Sequence, residues 1–340
     1  MKKTAVVILN WNGRKLLEQF LPSVVAYTSH KDVQIVVADN CSTDDSIDFL
    51  KERYPEISLV LLDKNYGFAE GYNRALKEVV ADYFVLLNSD VEVTQDWLFR
   101  LVEYLDNNDD VAAMQPKILA QRDKRYFEYA GAAGGFLDKY GYPFCRGRIF
   151  GVVEEDKGQY DDACDVLWTS GACMVIRREA YFDCGGLDAS FFAHMEEIDL
   201  CWRLWARGYR LVCLPISTVY HVGGATLNEE SPRKTFLNFR NNLLMLYKNL
   251  PDNLLKKVLR VRWFLDYLAA IHLVLQGKMA NAKAVIKAYN EFKQIKSFYD
   301  DARCENLKKT KRDTIATIYD KSILAGFYFK GKKIFSKINF

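Results

Sequence analysis

Three carboxylates stand close together in His194-Met195-Glu196-Glu197-Ile198-Asp199, ahead of an apolar stripe of Leu200, Trp202, Leu204 and Trp205. Phe191-Phe192 precedes them and can desolvate one of the three, raising its pKa toward the range of a general base. Acids in a first helical turn are also ordinary partners of the helix dipole, so the cluster alone names no reaction. Leu86-Leu87-Asn88-Ser89-Asp90 sets another carboxylate directly after an apolar strand, and its hard oxygen suits Mg2+ or Mn2+. Asn10-Trp11-Asn12-Gly13, Asp39-Asn40-Cys41-Ser42-Thr43-Asp44-Asp45 and Asn65-Tyr66-Gly67-Phe68-Ala69-Glu70-Gly71-Tyr72-Asn73 each follow a strand-like run. Asp39 can accept a hydrogen bond from the imino N–H of uracil or thymine, and the glycines let a ligand approach the backbone. A group that reads the nucleotide, a cation for the leaving diphosphate and a base for the acceptor hydroxyl are what sugar transfer from a nucleotide-diphosphate donor requires.

The elements that must position these groups alternate over the first 115 residues, the pattern of a parallel sheet covered by helices. Strands are expected at Thr4–Leu9, Val33–Ala38, Ser58–Leu62, Tyr83–Leu87 and Val111–Met114, with helices at Arg14–Thr28, Asp44–Arg53, Phe68–Val80 and Thr94–Asn107. Asn10, Asp39, Asp63 and Asn88 end four of these strands, where open parallel sheets bind ligands. Residues 126–168, rich in Gly, Tyr and Phe and without periodicity, read as an irregular or mobile segment over the site. Order resumes with a strand at Ala172–Ile176, a helix at Glu196–Arg207 ended by Gly208, and a strand at Tyr209–Leu214. Helices are then expected at Arg233–Asn249, Asn253–Gln276 and Met279–Asp300, punctuated by Pro251 and Gly277.

Charge divides the chain of 340 residues unevenly: residues 1–250 carry 28 Lys and Arg against 36 Asp and Glu, and residues 251–340 carry 19 against 8. A tail of net +11 calls for an anionic partner, either a phospholipid surface or a nucleic acid. Trp263 to Leu275 is the most apolar stretch, interrupted by Asp266 and His272, and falls short of the ~20 residues that span a bilayer. Tyr319, Phe327, Tyr328 and Phe329 beside Lys330, Lys332, Lys333 and Lys337 suit a helix lying in the membrane interface, or one docked on the rest of the protein or a second subunit. The eight cysteines form no C-x-x-C pair, which fits a reducing compartment, and the segment after Met1-Lys2-Lys3 reads as a first strand rather than a leader. A catalytic domain over residues 1–245 and a basic, membrane-associating helical region over 246–340 are therefore expected, on the cytoplasmic face of the plasma membrane.

The order of these pieces, from Val6-Val7-Ile8-Leu9-Asn10-Trp11-Asn12 to about Asn242, resembles family 2 glycosyltransferases of the GT-A fold. The likeness is to bacterial rhamnosyltransferase-like members that build cell-surface polysaccharides. It implies a mixed, Rossmann-like α/β sheet flanked by helices, with a C-terminal helical extension. It also implies an inverting, metal-dependent enzyme taking a sugar such as rhamnose to a glycan or polyprenyl-linked acceptor. On this resemblance Asp39 contacts the base, Asn88-Ser89-Asp90 stands at the D-x-D position, and Glu196-Glu197 stands where the family has Glu-Asp or Asp-Asp, Glu197 being the general base. His221, in Val219-Tyr220-His221-Val222-Gly223-Gly224, matches a late histidine that joins Asp90 on the metal, and Arg240 looks like a cation near the diphosphate. Asn10, Asn12, Asn65, Gly67, Asn73 and Asn88 complete the expected donor contacts. Two departures stand out: Asn88 replaces the first Asp of D-x-D, and Glu197 replaces the commoner Asp, so Glu196 and Asp199 stay open as bases.

Two other readings compete. A nucleotidyltransferase also uses an α/β fold with Mg2+, but no glycine-rich basic loop near the N-terminus is present to cradle a triphosphate. A non-catalytic membrane-docked scaffold would use the basic tail alone. That tail lacks zinc-site spacing and a recognition helix, and its aromatics sit among aliphatic residues, so lipid rather than nucleic acid is the expected partner.

Overall fold

The computed structural model describes residues 2–223, 231–312 and 314–340. The first half builds β1 (Thr4–Asn10), α1 (Arg14–Thr28), β2 (Val33–Asp39), α2 (Ser46–Arg53), β3 (Ser58–Leu61), α3 (Gly67–Lys77), β4 (Tyr83–Leu87), β5 (Val91–Val93), α4 (Phe99–Asp106) and β6 (Val111–Ala120). Short strands follow, β7 (Gly135–Asp138), β8 (Pro143–Cys145), β9 (Arg148–Ile149), β10 (Val152–Val153) and β11 (Cys164–Asp165), and then β12 (Cys173–Arg177), α5 (Arg178–Asp183), α6 (Glu196–Ala206) and β13 (Arg210–His221). The chain closes with α7 (Pro232–Asn249), α8 (Asp252–Leu275), α9 (Met279–Ile295), α10 (Asp300–Lys308), β14 (Ile318–Tyr319) and α11 (Ile323–Phe329).

Nine strands form one mixed sheet in the order β11-β13-β6-β12-β4-β1-β2-β3, with β5 paired to β13. Strands β1 to β4 are parallel to one another, whereas β12 runs antiparallel to both β4 and β6. The apolar run of β1 serves two layers because successive side chains point to opposite faces. Val6 and Ile8 join Leu17, Leu21 and Leu101 on one side, and Ala5 and Val7 join Ala69, Tyr72 and Tyr181 on the other. Strand order reverses at β1, which lies between β2 and β4, so the crevice beyond the carboxyl ends of these strands is the natural ligand edge.

Residues 126–168 are structured, with 131–138 and 144–149 buried, and are not a loose cover. Strands β7 to β10 form a second, five-stranded sheet completed by β14, which pairs parallel to β7 through Ile318 and Leu137. Strands of two to four residues joined by tight turns are too short to show alternation, and that hid this sheet from the sequence.

The C-terminal segment belongs to the same core. The boundary expected at 245 falls inside α7, whose Pro232 occupies the first helical turn, where a missing N–H costs nothing. Tyr319 is buried, and Phe335 and Phe340 pack on Phe136 with ring centroids 5.3 and 4.9 Å apart. Phe327 meets Phe150 edge to face, so of the four tail aromatics only Tyr328 and Phe329 stay exposed. Asp266, the charge inside the apolar stretch of α8, is buried and accepts hydrogen bonds from Tyr142 (2.6 Å) and Tyr289 (2.8 Å) while pairing with Arg262 (3.1 Å). No helix among the described residues is long and apolar enough to cross a membrane.

Candidate active site

Register builds the first half of the site. Strand β5 runs antiparallel to the end of β13, pairing Val91 with His221, and Val222 N–H donates to the Asp90 carbonyl at 3.1 Å. The turn Asn88-Ser89-Asp90 is thereby held against the imidazole: Asp90 Oδ1 lies 3.1 Å and Asn88 Nδ2 3.4 Å from His221 Nε2. On the other side of the ring, Glu128 Oε1 stands 3.4 Å from Nδ1 without an aligned hydrogen bond. Gly223 admits this carboxylate, since a Cβ there would lie 2.7 Å from Glu128 Oε1, and its φ of +68° also favours glycine. Burial alone would lower the His221 pKa, but hydrogen bonding and the charges of Asp90 and Glu128 outweigh it and push it up to about 10. Gly224 lies outside the described residues.

The second half is the start of α6. The chain reaches it through a contorted segment in which Phe192, His194 and Met195 have φ of 64°, 71° and 73°. None is glycine, and each left-handed residue costs roughly 1–2 kcal/mol. Helix α7 supplies the restraint. Asn241 Nδ2 donates to the carbonyls of Phe191 (3.0 Å), Ala193 (3.0 Å) and His194 (2.8 Å), and Phe68 N–H donates to that of Phe192 (3.1 Å). Gly67 makes room from below, since a Cβ there would lie 2.8 Å from the Phe192 ring.

Both halves line one cavity of about 520 Å3. Asn88, Asp90, Glu128 and His221 form one wall, and His194, Glu196 and Glu197 another. Tyr129, Trp168 and Phe239 supply aromatic surface, and Arg148, Lys234 and Arg262 supply positive charge. His194 Nε2, Glu196 Oε2 and Glu197 Oε2 are buried without a protein partner. Unpartnered buried polar atoms are costly, and three on one cavity wall mark a surface shaped for something polar. Burial raises the Glu197 carboxyl to about 7, against which nearby backbone N–H groups work only in part. Burial and the neighbouring Glu197 charge raise Glu196 well above its ordinary value. Two carboxyls so raised and so close do not both ionise readily, and Glu197 is able to accept a proton near neutrality. Burial and Lys234 lower His194 to about 4, so its imidazole is neutral.

The nucleotide edge is knitted loop to loop, with Asn10 Oδ1 buried but left without a protein partner. Asn10 Nδ2 donates to Asp39 Oδ1 (2.9 Å) and Ser42 Oγ (3.1 Å), and Ser42 N–H donates to Asp39 Oδ2 (2.8 Å). Asn12 Oδ1 accepts from Thr43 N–H at 2.7 Å. Asn65 Oδ1 accepts from Gly67 N–H (2.8 Å) and Asn40 Nδ2 (3.1 Å), which ties the third loop to the second.

Three expected site residues lie elsewhere. Asp199 is buried in an ionic network, paired with Arg203 and Lys248 at 2.8 Å each and accepting from Asn249 at 2.8 Å, so it has no role as a base. Burial would raise its pKa, but Lys248 and Arg203 hold it low. Arg240 is outside the cavity, bound to Glu291 (2.8 Å) and to the carbonyls of Ser190 (3.1 Å) and Phe191 (3.3 Å), where it braces the loop before α6. Asn73 holds Leu187 through both its N–H (3.0 Å) and its carbonyl (2.7 Å), and accepts from Tyr181. Conversely, sequence reasoning passed over Glu128, His194, Lys234 and Arg148. Proximity to Glu196 was the one available signal for His194, and Glu128 had none.

Among the described residues no group of three or more His, Cys, Asp and Glu side chains is arranged to hold a metal ion. Asp90 and His221 offer one hard oxygen and, once a cation displaces the proton that Asp90 and Glu128 otherwise stabilise on the ring, one imidazole nitrogen facing the cavity, a pair that fits a divalent cation whose other positions go to ligand oxygens and water.

Comparison with known proteins agrees with this geometry. The family model Glycosyl transferase family 2 matches residues 5–183. N-acetylglucosaminyl-diphospho-decaprenol L-rhamnosyltransferase of Mycobacterium tuberculosis is 27% identical over 234 residues, which cover 64% of this chain and 75% of that protein. Rhamnosyltransferase WbbL of Escherichia coli is 25% identical over 163 residues, covering 46% of this chain and 61% of its own. Among solved structures, GalNAc-T7 with UDP, GalNAc and Mn2+ superposes with a TM-score of 0.59 at 17% identity, covering 89% of this chain and 54% of that one. S. aureus TarS 1-349 in complex with UDP-GlcNAc superposes with a TM-score of 0.55 at 15% identity, covering 90% of this chain and 89% of that one. With a GT-A fold and a family match over more than half its length, the chain belongs to the family 2 glycosyltransferases.

Proposed function

We propose that this glycosyltransferase carries out an inverting single displacement, moving a hexose from a nucleoside-diphosphate donor to a hydroxyl of a lipid-linked or polysaccharide acceptor. The observation that carries this reading is the cavity shared by the Asp90–His221 pair and the Glu196–Glu197 pair. Asp39 and the loops that carry Asn10, Asn12 and Asn65 would receive the nucleotide, and Asn88, Asp90 and His221 would face its diphosphate. A divalent cation held by Asp90 and His221 would supply positive charge to the departing diphosphate. An imidazole ligand favours Mn2+ over Mg2+, which prefers an all-oxygen shell.

Glu197 would take the proton of the acceptor hydroxyl as its oxygen bonds to the anomeric carbon and the bond from that carbon to the diphosphate oxygen breaks. Glu196 and neutral His194 can orient the acceptor by hydrogen bonds, and Tyr129, Trp168 and Phe239 offer faces to a sugar ring. L-Rhamnose is the donor sugar suggested by the rhamnosyltransferase relatives, and the name of the mycobacterial one adds a diphospho-polyprenol acceptor, which would set the work at the inner membrane face.

A thermal-shift screen of nucleoside diphosphates and their sugars, with and without Mn2+, tests the donor site. A Mn2+-dependent rise in melting temperature with dTDP or UDP that disappears in Asp90→Ala is expected. No shift with any nucleoside diphosphate would overturn the reading.

A further inference from the structure

Helix α8 is apolar on two opposite sides, and the core uses only one of them. Its inner side, with Val258, Arg262, Asp266 and Ala270, is buried, and Arg262 reaches the cavity wall. Its outer side carries Phe264, Leu268, Ile271 and Leu275 at helical spacing, exposed by 57, 46, 57 and 80%. Met279, at the start of α9, is also exposed. The same helical line continues toward the N-terminus as Arg260 and Lys257, beside Lys256, and all three cations are exposed without an ion pair among the described residues.

We propose that this outer side of α8 docks on an anionic phospholipid surface. The apolar row would enter the boundary between headgroups and acyl chains, and Lys256, Lys257 and Arg260 would meet lipid phosphates. Charge argues for lipid over a second copy of the chain. Asp266 is the only carboxylate between residues 253 and 290, and it is buried, so two such faces brought together would place cations against a surface without exposed acids. Lipid phosphates provide the missing anions. The arrangement rests on the reading of a lipid-linked acceptor: it sets the Arg262 wall of the cavity roughly one helix diameter, about 10 Å, from the bilayer.

Flotation of the full chain with vesicles of phosphatidylcholine, alone or mixed with phosphatidylglycerol, tests the surface. The wild type should partition onto the anionic vesicles at least tenfold better than onto neutral ones, and less well as salt is raised. The triple substitution Phe264→Ser, Ile271→Ser, Leu275→Ser should lose at least tenfold of that binding while keeping its melting temperature. Lys257→Glu with Arg260→Glu should abolish the preference for anionic vesicles. Equal binding by wild type and triple variant would overturn the proposal. So would a wild-type dimer in light scattering that the triple variant turns into a monomer while no vesicles are bound. The nucleotide-diphosphate shift, scored separately on the same proteins, reports the donor site whichever way the vesicles fall.

Discussion

The nucleotide edge and the acceptor wall of the cavity differ in how much of their polar surface the protein itself satisfies. At the edge, Asn10 bonds Asp39 while Asn12 and Asn65 bond the neighbouring loops, which leaves one buried atom, Asn10 Oδ1, unpartnered and two residues, Asn12 and Cys41, at positive φ. At the wall, three buried polar atoms have no protein partner and three residues without glycine's freedom sit at positive φ. The first region is largely settled before a ligand arrives, held by bonds from loop to loop. The second holds free energy in reserve, in unpaired carboxyls and a twisted backbone, and stays in place because Asn241 and the Phe68 N–H restrain it.

The contrast breaks most sharply at Glu197. Glu197→Gln should lower transfer by about 10²–10⁴-fold, the usual worth of a general base, and a near-normal rate would remove Glu197 from that role. The wild-type rate should rise with pH through about 7 as the carboxyl ionises. Stability should move the other way. A folded-state value raised from 4.5 to about 7 gives stability that is full below the lower figure and lost as pH climbs through the higher one. At pH values above that window Glu197→Gln should be more stable than the wild type by about 1–3 kcal/mol in denaturant titration, since each tenfold gain in proton affinity on folding is worth about 1.4 kcal/mol.

A smaller effect is expected where the restraint itself is removed. Asn241→Ala leaves three carbonyls without their shared donor and should cost about 2–3 kcal/mol of unfolding free energy, with at least a tenfold loss of turnover. Unchanged kinetics would mean that the twisted segment holds its shape unaided. The smallest effect belongs to the more satisfied edge. Asp39→Asn should cost about 1 kcal/mol of stability and raise the donor KM about tenfold while leaving kcat nearly unchanged. A fall in kcat instead would place Asp39 nearer the reaction than its position at the end of β2 implies.

The alternating first half was legible because parallel strands buried on both faces announce themselves as apolar runs, and their polar ends fall on the ligand edge. The same local pattern cannot say which way a polar side chain faces. Asp199 sits three and two positions after Glu196 and Glu197, yet it points into an ionic knot with Lys248 and Arg203. Arg240 looked like a diphosphate contact and instead braces the loop that presents the carboxylates. Glu128 escaped notice because its closeness to His221 arises from the return of the chain after β6, a pairing across distant strands. The tail misled in part for a related reason: aromatics beside lysines suit a lipid interface or a protein groove equally, and Tyr319 and Phe327 chose the groove.

The pairing of β14 with β7 bears on how the chain is made. Ile318 must find Leu137, so the last strand of the smaller sheet waits for a segment translated about 180 residues later. Until then β7 offers an open edge, and Phe136 and Phe144 lack the rings of Phe335 and Phe340. Contacts this distant in sequence form slowly, which makes the nascent chain most exposed to misassembly late in synthesis, after the nucleotide edge has folded.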